Sequence, residues 1–306
     1  LGLGGGGGSI PVLSTVARWF VKKRGTVTGI TKAGAGIGLF IMPLLANWII
    51  SGYGWRSAYV VLGIIVLAGV IAAALFLKRD PRQIGLLPDG ATEVKEDDSN
   101  IGTRQFSPRE AIRTMQFWLF SAASILIVFC TQVVVVHIAP YAIELGVSAT
   151  LAATMLSVIG GTSILGMIGM GGISDRLGCK PTLIVTISLF IVSFILIQFA
   201  KEAWLFYIFV TVAGISRGAF FTLMSLILAE LFGLRSLGAI LGVVFGIGTI
   251  GGAMGPVLSG LIFDVTGSYQ LSFLICLALS IIAIILVSFL RPISSGTLRK
   301  IHDELR

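Results

Sequence analysis

Charged residues are scarce in this sequence, and so are the residues on which most enzymes depend. Only 12% of its 306 residues are charged, roughly half the share found in a soluble domain. The chain has two histidines and three cysteines, and it contains no H-E-x-x-H motif, no G-x-S-x-G motif and no pair of mid-helix aspartates. These absences exclude an ordinary water-soluble domain and argue against a membrane-embedded enzyme.

The cysteines also lack a functional pattern. Cys130 and Cys276 lie far apart within apolar runs, and Cys179 lies in a polar turn. This spacing matches neither a metal site nor a disulfide framework. We therefore expect no metal site and no cofactor, and we interpret the thiols as small apolar residues.

Apolar runs are what the sequence has in abundance. Hydrophobic residues make up 56% of the chain, the mean hydropathy is +1.00, and runs of about 20 apolar residues recur, as in membrane-spanning helices. We predict an all-α integral membrane protein with about nine transmembrane helices, at about 1–20, 26–51, 55–77, 115–140, 147–173, 181–200, 203–232, 237–263 and 269–291.

The polar segments divide these helices into groups. We predict a first bundle in 1–77, a cytoplasmic connecting loop in 78–114, a second bundle in 115–291 and a cytoplasmic tail in 292–306. Near the end of the loop, Ser107 and Glu110 with Pro108 between them match a capping box with proline at the first helical position. A short helix should therefore lead into the second bundle.

The net charge of +8 does not indicate nucleic-acid binding, because the charges lie in loops between apolar runs. All lysines and arginines except Lys32, Arg56, Lys201 and Arg217 fall in loops or ends assigned to one side. An excess of basic residues marks the cytoplasmic side. We therefore predict a multi-pass protein of the plasma membrane or bacterial inner membrane, monomeric, with a cytoplasmic C-terminus.

An internal repeat connects the two predicted bundles. Residues 25–54 align without a gap with residues 238–267, and the matches include Gly25 with Gly238, Pro43 with Pro256 and Gly54 with Gly267. Because residue 25 corresponds to residue 238, the counterpart of the span near residue 115 would lie well before Leu1. The chain also begins with neither Met nor a signal peptide. We expect three preceding helices and a parent protein of twelve spans in two parallel-repeat halves.

A ten-residue turn carries the clearest resemblance to a known family. Gly171, Asp175, Arg176, Gly178 and Lys180 match the G-x-x-x-D-R-x-G-x-K/R turn of the major facilitator superfamily, so the chain resembles helices four to twelve of such a transporter. It is most similar to the monocarboxylate and oxalate/formate group, on the residues Arg18-Trp19-Phe20, Lys23-Arg24-Gly25, Gly54-Trp55-Arg56 and His137-Ile138-Ala139-Pro140-Tyr141.

The resemblance implies a conformational gate at this turn, formed by Gly172, Asp175, Arg176, Gly178, Lys180 and Glu230. Asp175 is expected to contact the start of helix eleven near Gly238, and Arg176 to reach Glu230. A purely topological role for these charges is the alternative.

Three residues inside or near the spans are candidates for the transport chemistry. Arg217 lies mid-span, where a charge needs a partner, and either binds an anionic substrate or bonds helix carbonyls. Lys32 either lines the same cavity or extends to the membrane surface. His137 is a candidate for proton coupling or an ordinary interfacial histidine.

One position departs from the family pattern. Relatives that carry carboxylates have an arginine where this chain has Met167, and Arg217 is a possible replacement. We predict a secondary transporter, not an enzyme, for a small organic anion such as lactate, pyruvate, oxalate or formate, working by alternating access as a symporter or antiporter. The alternatives are a transporter of another small solute, such as a drug, sugar or metabolite, or an inactive truncated fragment.

Overall fold

The computed structural model describes residues 12–20, 23–76, 106–200 and 202–291. Within these ranges the chain is helical and has no strand. In chain order the helices are α1 (12–19), α2 (Arg24–Phe76), α3 (Pro108–Ile112), α4 (Met115–Glu144), α5 (Ala149–Leu177), α6 (Cys179–Gln198), α7 (Ala203–Phe232), α8 (Leu237–Thr266) and α9 (Gln270–Ser288).

Eight helical segments of this part of the chain are long and apolar enough to cross a membrane, which confirms the predicted all-α membrane architecture. Two of them belong to α2, which is broken at Gly54, where φ is 78°. A positive φ favours glycine, and the break separates the spans predicted at 26–51 and 55–77. Gly267, its partner in the repeat, also has a positive φ of 70° and ends α8.

The helices pack around α7, the most deeply buried span. α5 lies between α2 and α7, α4 packs against α8 and α9, and α6 packs against α7 and α9. The second half of α2 is mostly exposed, with 72% of Tyr53 and 79% of Leu75 accessible. An apolar exposed face of this kind suits contact with lipid.

Glycines bring the neighbouring helices into close contact. A side chain at Gly166 of α5 would collide with Ile215 O of α7, and one at Gly251 of α8 would collide with Ile125 O of α4. Small residues at such crossings let helices approach closely in lipid. Gly246 of α8 is not part of such a crossing, because a side chain there would meet open space.

The end of the connecting loop has the predicted cap. Ser107 Oγ accepts a hydrogen bond from Glu110 N–H at 3.3 Å, and the Glu110 carboxylate accepts one from Ser107 N–H at 2.7 Å, with Pro108 at the first position of α3. Phe106 N–H donates to Phe232 O at 3.1 Å, which fixes this segment to the end of α7. The rest of the predicted loop (78–105), the end of the span at residue 77, the beginning of the first span and the predicted tail lie outside the described residues.

Two of the cysteines are neighbours in space although they are distant in sequence. Cys130 Sγ of α4 lies 3.5 Å from Cys276 O of α9, and Ser280 Oγ lies 3.8 Å from the same sulfur. Both thiols are free and buried. They belong to the packed contact between α4 and α9, in agreement with their assignment as small core residues.

Candidate functional site

Lys32 and Arg217 meet at one aromatic ring. Lys32 Nζ of α2 lies 5.8 Å from the centroid of Phe221, and the Arg217 guanidinium carbon lies 5.4 Å from it. Arg217 and Phe221 are one turn apart on α7, and Lys32 approaches from the facing helix. Two cations predicted independently therefore belong to one site, and the ring face supplies a weak cation–π attraction to both.

Neither cation has a hydrogen-bond or ion-pair partner in the part of the chain that the structure describes. The Nε atom of Arg217 is buried and without a partner. Of the alternatives for Arg217, bonding to helix carbonyls is therefore not observed, and Lys32 is directed toward Phe221. Uncompensated charges within membrane spans are costly and mark functional sites.

A cavity of about 380 Å³ adjoins this pair. Phe221 forms part of its wall, whereas Lys32 and Arg217 are not among its lining residues. The rest of its lining comes from α4, α7 and α8, namely Val128, Gln132, Met224, Phe245, Gly248, Thr249, Gly252 and Ala253. The volume falls within the range of about 300–1,000 Å³ that is common for small-molecule sites.

Asp175, in the 171–180 turn, caps the start of α2. The Asp175 carboxylate accepts hydrogen bonds from Gly25 N–H (2.7 Å), Thr26 N–H (2.8 Å) and the Thr26 hydroxyl (2.7 Å). These groups begin α2, where backbone N–H groups are unpaired and the helix dipole favours a negative charge. Asp175 therefore connects the start of α2 to the end of α5.

The expected partner of Asp175, the start of helix eleven near Gly238, was wrong. α5 runs along α2, whereas α8 packs mainly against α4, so the carboxylate meets Gly25 instead. The segment is also much shorter than the predicted ten-residue turn, because α5 continues to Leu177 and α6 begins at Cys179. The single residue Gly178, with φ of 90°, joins them.

The other expected gate residues have different positions. Arg176 and Glu230 are both exposed, and no ion pair joins them in the described ranges. Lys180 Nζ donates hydrogen bonds to Ser288 O (2.8 Å) and Leu290 O (2.7 Å). Lys180 thus caps the C-terminal end of α9, where a cation is favourable, and ties it to the start of α6.

Gly171 and Gly25 make the closest helix contact at this turn. A side chain at Gly171 would collide with Gly25 O, and a side chain at Gly25 would collide with Gly171 O and lie 2.7 Å from Asp175 Oδ1. Gly172, the predicted gate glycine, has only an ordinary 3.5 Å approach to Thr26 Oγ1. The sequence named both glycines, Gly171 in the turn motif and Gly25 in the internal repeat, but their direct contact was not predicted.

His137 lies on α4 and joins it to α8. Its Nε2 is 3.0 Å from Pro256 O, and because a carbonyl only accepts, Nε2 must carry a hydrogen. The ring lies 4.8 Å from that of Tyr269. Burial, Glu144 and Asp264 raise the pKa of Tyr269 above its usual value, so its phenol stays protonated near neutral pH. No other described residue hydrogen-bonds His137.

The family model of the Major Facilitator Superfamily matches residues 1–197 and, in a second match, residues 144–304. The chain belongs to the major facilitator superfamily. Together the two matches cover almost the whole sequence, and the overlap is consistent with the two related halves inferred from the internal repeat.

Several curated relatives within the superfamily are monocarboxylate transporters. Mouse monocarboxylate transporter 12 is 28% identical over 92% of this chain and 62% of its own length. Human monocarboxylate transporter 2 is 23% identical over 89% of the chain and 60% of its own length. The chain therefore spans about three fifths of the length of these relatives.

Solved structures of superfamily transporters have the same fold. The E. coli fucose:proton symporter FucP superposes with a TM-score of 0.64 at 16% identity, over 90% of this chain and 73% of that one. A FucP structure in the outward conformation gives a TM-score of 0.58 at 13% identity, over 92% and 86%. At these identities the likeness concerns the fold alone.

At Met167 the resemblance to carboxylate carriers leads us to expect an arginine, and the geometry shows what surrounds this position. Met167 is 2% exposed, and its carbonyl would collide with a side chain at Gly29. Gly29 is one turn before Lys32 on α2, so a cation lies near the position where the resemblance implies an arginine. Lys32 therefore belongs to the helix that packs against Met167.

Proposed function

We propose that this protein is a secondary transporter that carries a small organic anion across a membrane by alternating access, coupled to protons or to a counter-anion. Monocarboxylates and dicarboxylates such as lactate, pyruvate, oxalate and formate are the proposed substrate class. The observation that carries the proposal is the pair of cations, Lys32 and Arg217, which share the ring of Phe221 beside the cavity.

Electrostatics favours an anion at this place. An uncompensated charge at the level of the membrane interior costs between about 2.5 and 10 kcal/mol or more, and two like charges near one ring add mutual repulsion. A bound carboxylate would attract both cations and accept hydrogen bonds from the guanidinium. A neutral sugar would offer hydrogen-bonding groups but would leave both charges uncompensated.

The Asp175 cap is the proposed conformational gate. It joins α2, which belongs to the predicted first bundle, to α5 of the predicted second bundle. When one bundle tips relative to the other, these three hydrogen bonds must break and re-form on each cycle. Gly178 forms the turn, and Lys180 anchors it to α9. A gating role for Gly172 stays a prediction. A pairing of Arg176 with Glu230 in another conformation stays a prediction.

For proton coupling we propose His137. Its Nδ1 has no hydrogen-bond partner among the described residues, whereas Nε2–H donates to Pro256 O. A proton can therefore be added at Nδ1 without breaking the contact with α8. A proton carried on the substrate itself is the alternative.

The fold and the family make this chain a multi-pass membrane protein, and we propose that its C-terminal end is cytoplasmic. Lys180 places the end of α9 beside the Asp175 cap, at the end of the molecule where basic residues are concentrated. We further propose that it acts as a monomer and as a transporter, not an enzyme.

Uptake into proteoliposomes tests the proposal. Labelled lactate, pyruvate, oxalate and formate should enter, and a pH gradient or a trans anion should accelerate uptake. Arg217→Gln should reduce anion binding by about 10- to 100-fold, the value of a charge-assisted hydrogen bond. Arg109→Gln, which makes the same change at an exposed site outside the gate, serves as the matched control.

Three outcomes would contradict the proposal. These are absence of uptake and exchange for all four anions, uptake of neutral solutes only, and unchanged anion affinity in Arg217→Gln. The second outcome would favour a superfamily transporter of another small solute.

A further inference from the structure

Two basic residues precede the hydroxyl group that Asp175 holds at the start of α2. Lys23 and Arg24 lie three and two positions before Thr26. Basic side chains at these two positions before a serine or threonine are a charge pattern by which a large class of protein kinases selects its substrates. The same basic residues mark the side of the membrane that we propose to be cytoplasmic, where ATP and such kinases occur.

The Thr26 hydroxyl is accessible, unlike those of the other threonines nearby. Thr26 is partly exposed, and its hydroxyl donates to the exposed Asp175 carboxylate at 2.7 Å. Thr28 is only 2% exposed, and the Thr31 hydroxyl donates to Val27 O at 2.9 Å within α2. A kinase can therefore reach Thr26 once Asp175 moves away.

We propose that Thr26 is a phosphorylation site that controls the contact between α2 and α5. The co-reactants are ATP and a protein kinase that selects basic sequences. Thr26 Oγ1 bonds to the γ-phosphorus of ATP, the bond from that phosphorus to the bridging oxygen breaks to release ADP, and the hydroxyl proton leaves through the kinase to solvent. The effect on transport rests on the gating role proposed for Asp175, whereas the modification itself does not.

A phosphate on Thr26 is incompatible with the present contact to Asp175. The ester oxygen no longer carries a hydrogen, so it cannot donate to the carboxylate. The phosphate also carries a charge of about −1.5 to −2 at pH 7, and a carboxylate beside it repels it. A phosphate is favoured at a helix N-terminus, so it replaces Asp175 as the cap of α2. The modification therefore releases α5 and leaves α2 capped.

The two helices cross too closely for the phosphate to fit between them. A Cβ atom at Gly172 of α5 would lie 3.5 Å from Thr26 Oγ1, which shows that this hydroxyl faces the backbone of α5. A Cβ atom at Gly25, the preceding residue, would already lie 2.7 Å from Asp175 Oδ1. A group as large as a phosphate must therefore push α2 and α5 apart.

The first test is incubation of the purified protein in nanodiscs with ATP and the catalytic subunit of cAMP-dependent protein kinase. Trypsin cleaves after Arg24 and Lys32, so mass spectrometry of the peptide 25–32 locates and quantifies the phosphate. We expect it on Thr26. Asp175→Asn should be phosphorylated at least about 10-fold faster, because a charge-assisted hydrogen bond no longer holds the hydroxyl.

Lys23→Gln tests the recognition of the basic residues. Lys23 is exposed, and loss of its charge should slow phosphorylation about 10-fold, the value of one charge-assisted hydrogen bond to the kinase. Arg113→Gln removes a positive charge from another exposed site and should leave the rate unchanged. Equal rates in all four proteins would overturn the inference, and so would peptide 25–32 with no phosphate on Thr26 in either the unmodified protein or Asp175→Asn.

The second test measures the separation of α2 from α5. Spin labels are attached at Ile30→Cys and Ile173→Cys, two positions that are 55% and 40% exposed. Cys179→Ser removes the partly exposed thiol, and the other two cysteines are buried. Phosphorylation should lengthen the distance between the labels, whereas an unchanged distance in fully phosphorylated protein would overturn the inference.

Uptake of the four proposed anions separates the inference from the proposed function. If phosphorylation lengthens the label distance but leaves uptake unchanged, the inference stands and the gating role of Asp175 fails. If no form of the protein takes up any anion, the proposed substrate class fails, and the phosphopeptide and the label distance still decide the inference.

Discussion

Replacing Asp175 by asparagine should free the start of α2 from α5 without changing the shape of the side chain. The carboxylate accepts three hydrogen bonds, from Gly25 N–H, Thr26 N–H and the Thr26 hydroxyl. Asparagine keeps one acceptor oxygen, but in place of the second oxygen it presents an NH₂ group to a hydrogen-bond donor. It also removes the negative charge that is stabilised at the N-terminus of a helix. Hydrogen bonds to a charged group contribute about 1.5–3 kcal/mol, and the charge at the helix N-terminus contributes about 0.3–1 kcal/mol.

A loss of about 2–3 kcal/mol corresponds to roughly 30- to 150-fold more frequent opening of this contact. Because Gly25 and Thr26 donate these hydrogen bonds through their own backbone N–H groups, amide hydrogen exchange reports the opening directly. Mass spectrometry of peptides that cover residues 23–30, from protein in nanodiscs, should show faster exchange by that factor. Peptides from the centre of α7 should be unchanged.

Arg176→Gln is the control, because it alters the next residue without touching the cap. Exchange in Asp175→Asn equal to that of the unmodified protein would refute the assignment of Asp175 as the cap of α2. Equal acceleration in both variants would show that the effect comes from loss of charge in the turn and not from the hydrogen bonds.

Three further changes test separate contacts. Gly166→Ala should cost about 1–3 kcal/mol of stability, because its methyl group would collide with Ile215 O. Gly169→Ala is the control, since nothing lies within 4 Å of its added methyl group, and its melting temperature should equal or exceed that of the unmodified protein. Equal melting curves for the two variants would contradict the close contact of α5 with α7. Lys180→Gln should lower the melting temperature by about 2–4 °C by weakening the cap on α9, and an unaltered midpoint would speak against that cap. His137→Gln should keep the melting temperature, since its amide can donate to Pro256 O, and should flatten the pH dependence of uptake; a retained pH profile would remove His137 from proton coupling.

The helices could be predicted from the sequence because each span is a long apolar run bounded by polar residues. The capping box at Ser107 was equally local and was found. The partner of Asp175 could not be deduced, because the internal repeat gives α2 and α8 similar starts, with Gly25 matching Gly238. Only the packing of α5 along α2 decides between them.

The candidate site was predictable residue by residue but not as an assembly. Arg217 was recognisable as a charge in an apolar span, and Lys32 as a second one. Their meeting at Phe221 depends on the way α2 approaches α7, which leaves no periodic signal. Phe221 itself is one of 19 phenylalanines, and nothing in its neighbourhood along the chain distinguishes it.

The two uncompensated cations at Phe221 also have a consequence for the kinetics of the transport cycle. In the proposed transport of an anion, the loaded site would pass through a closed intermediate with part of its charge neutralised. Without one, both charges must pass through the same low-dielectric intermediate, where their desolvation is most costly. The unloaded return should therefore be the slow step, so anion placed on the far side of the membrane should accelerate labelled efflux.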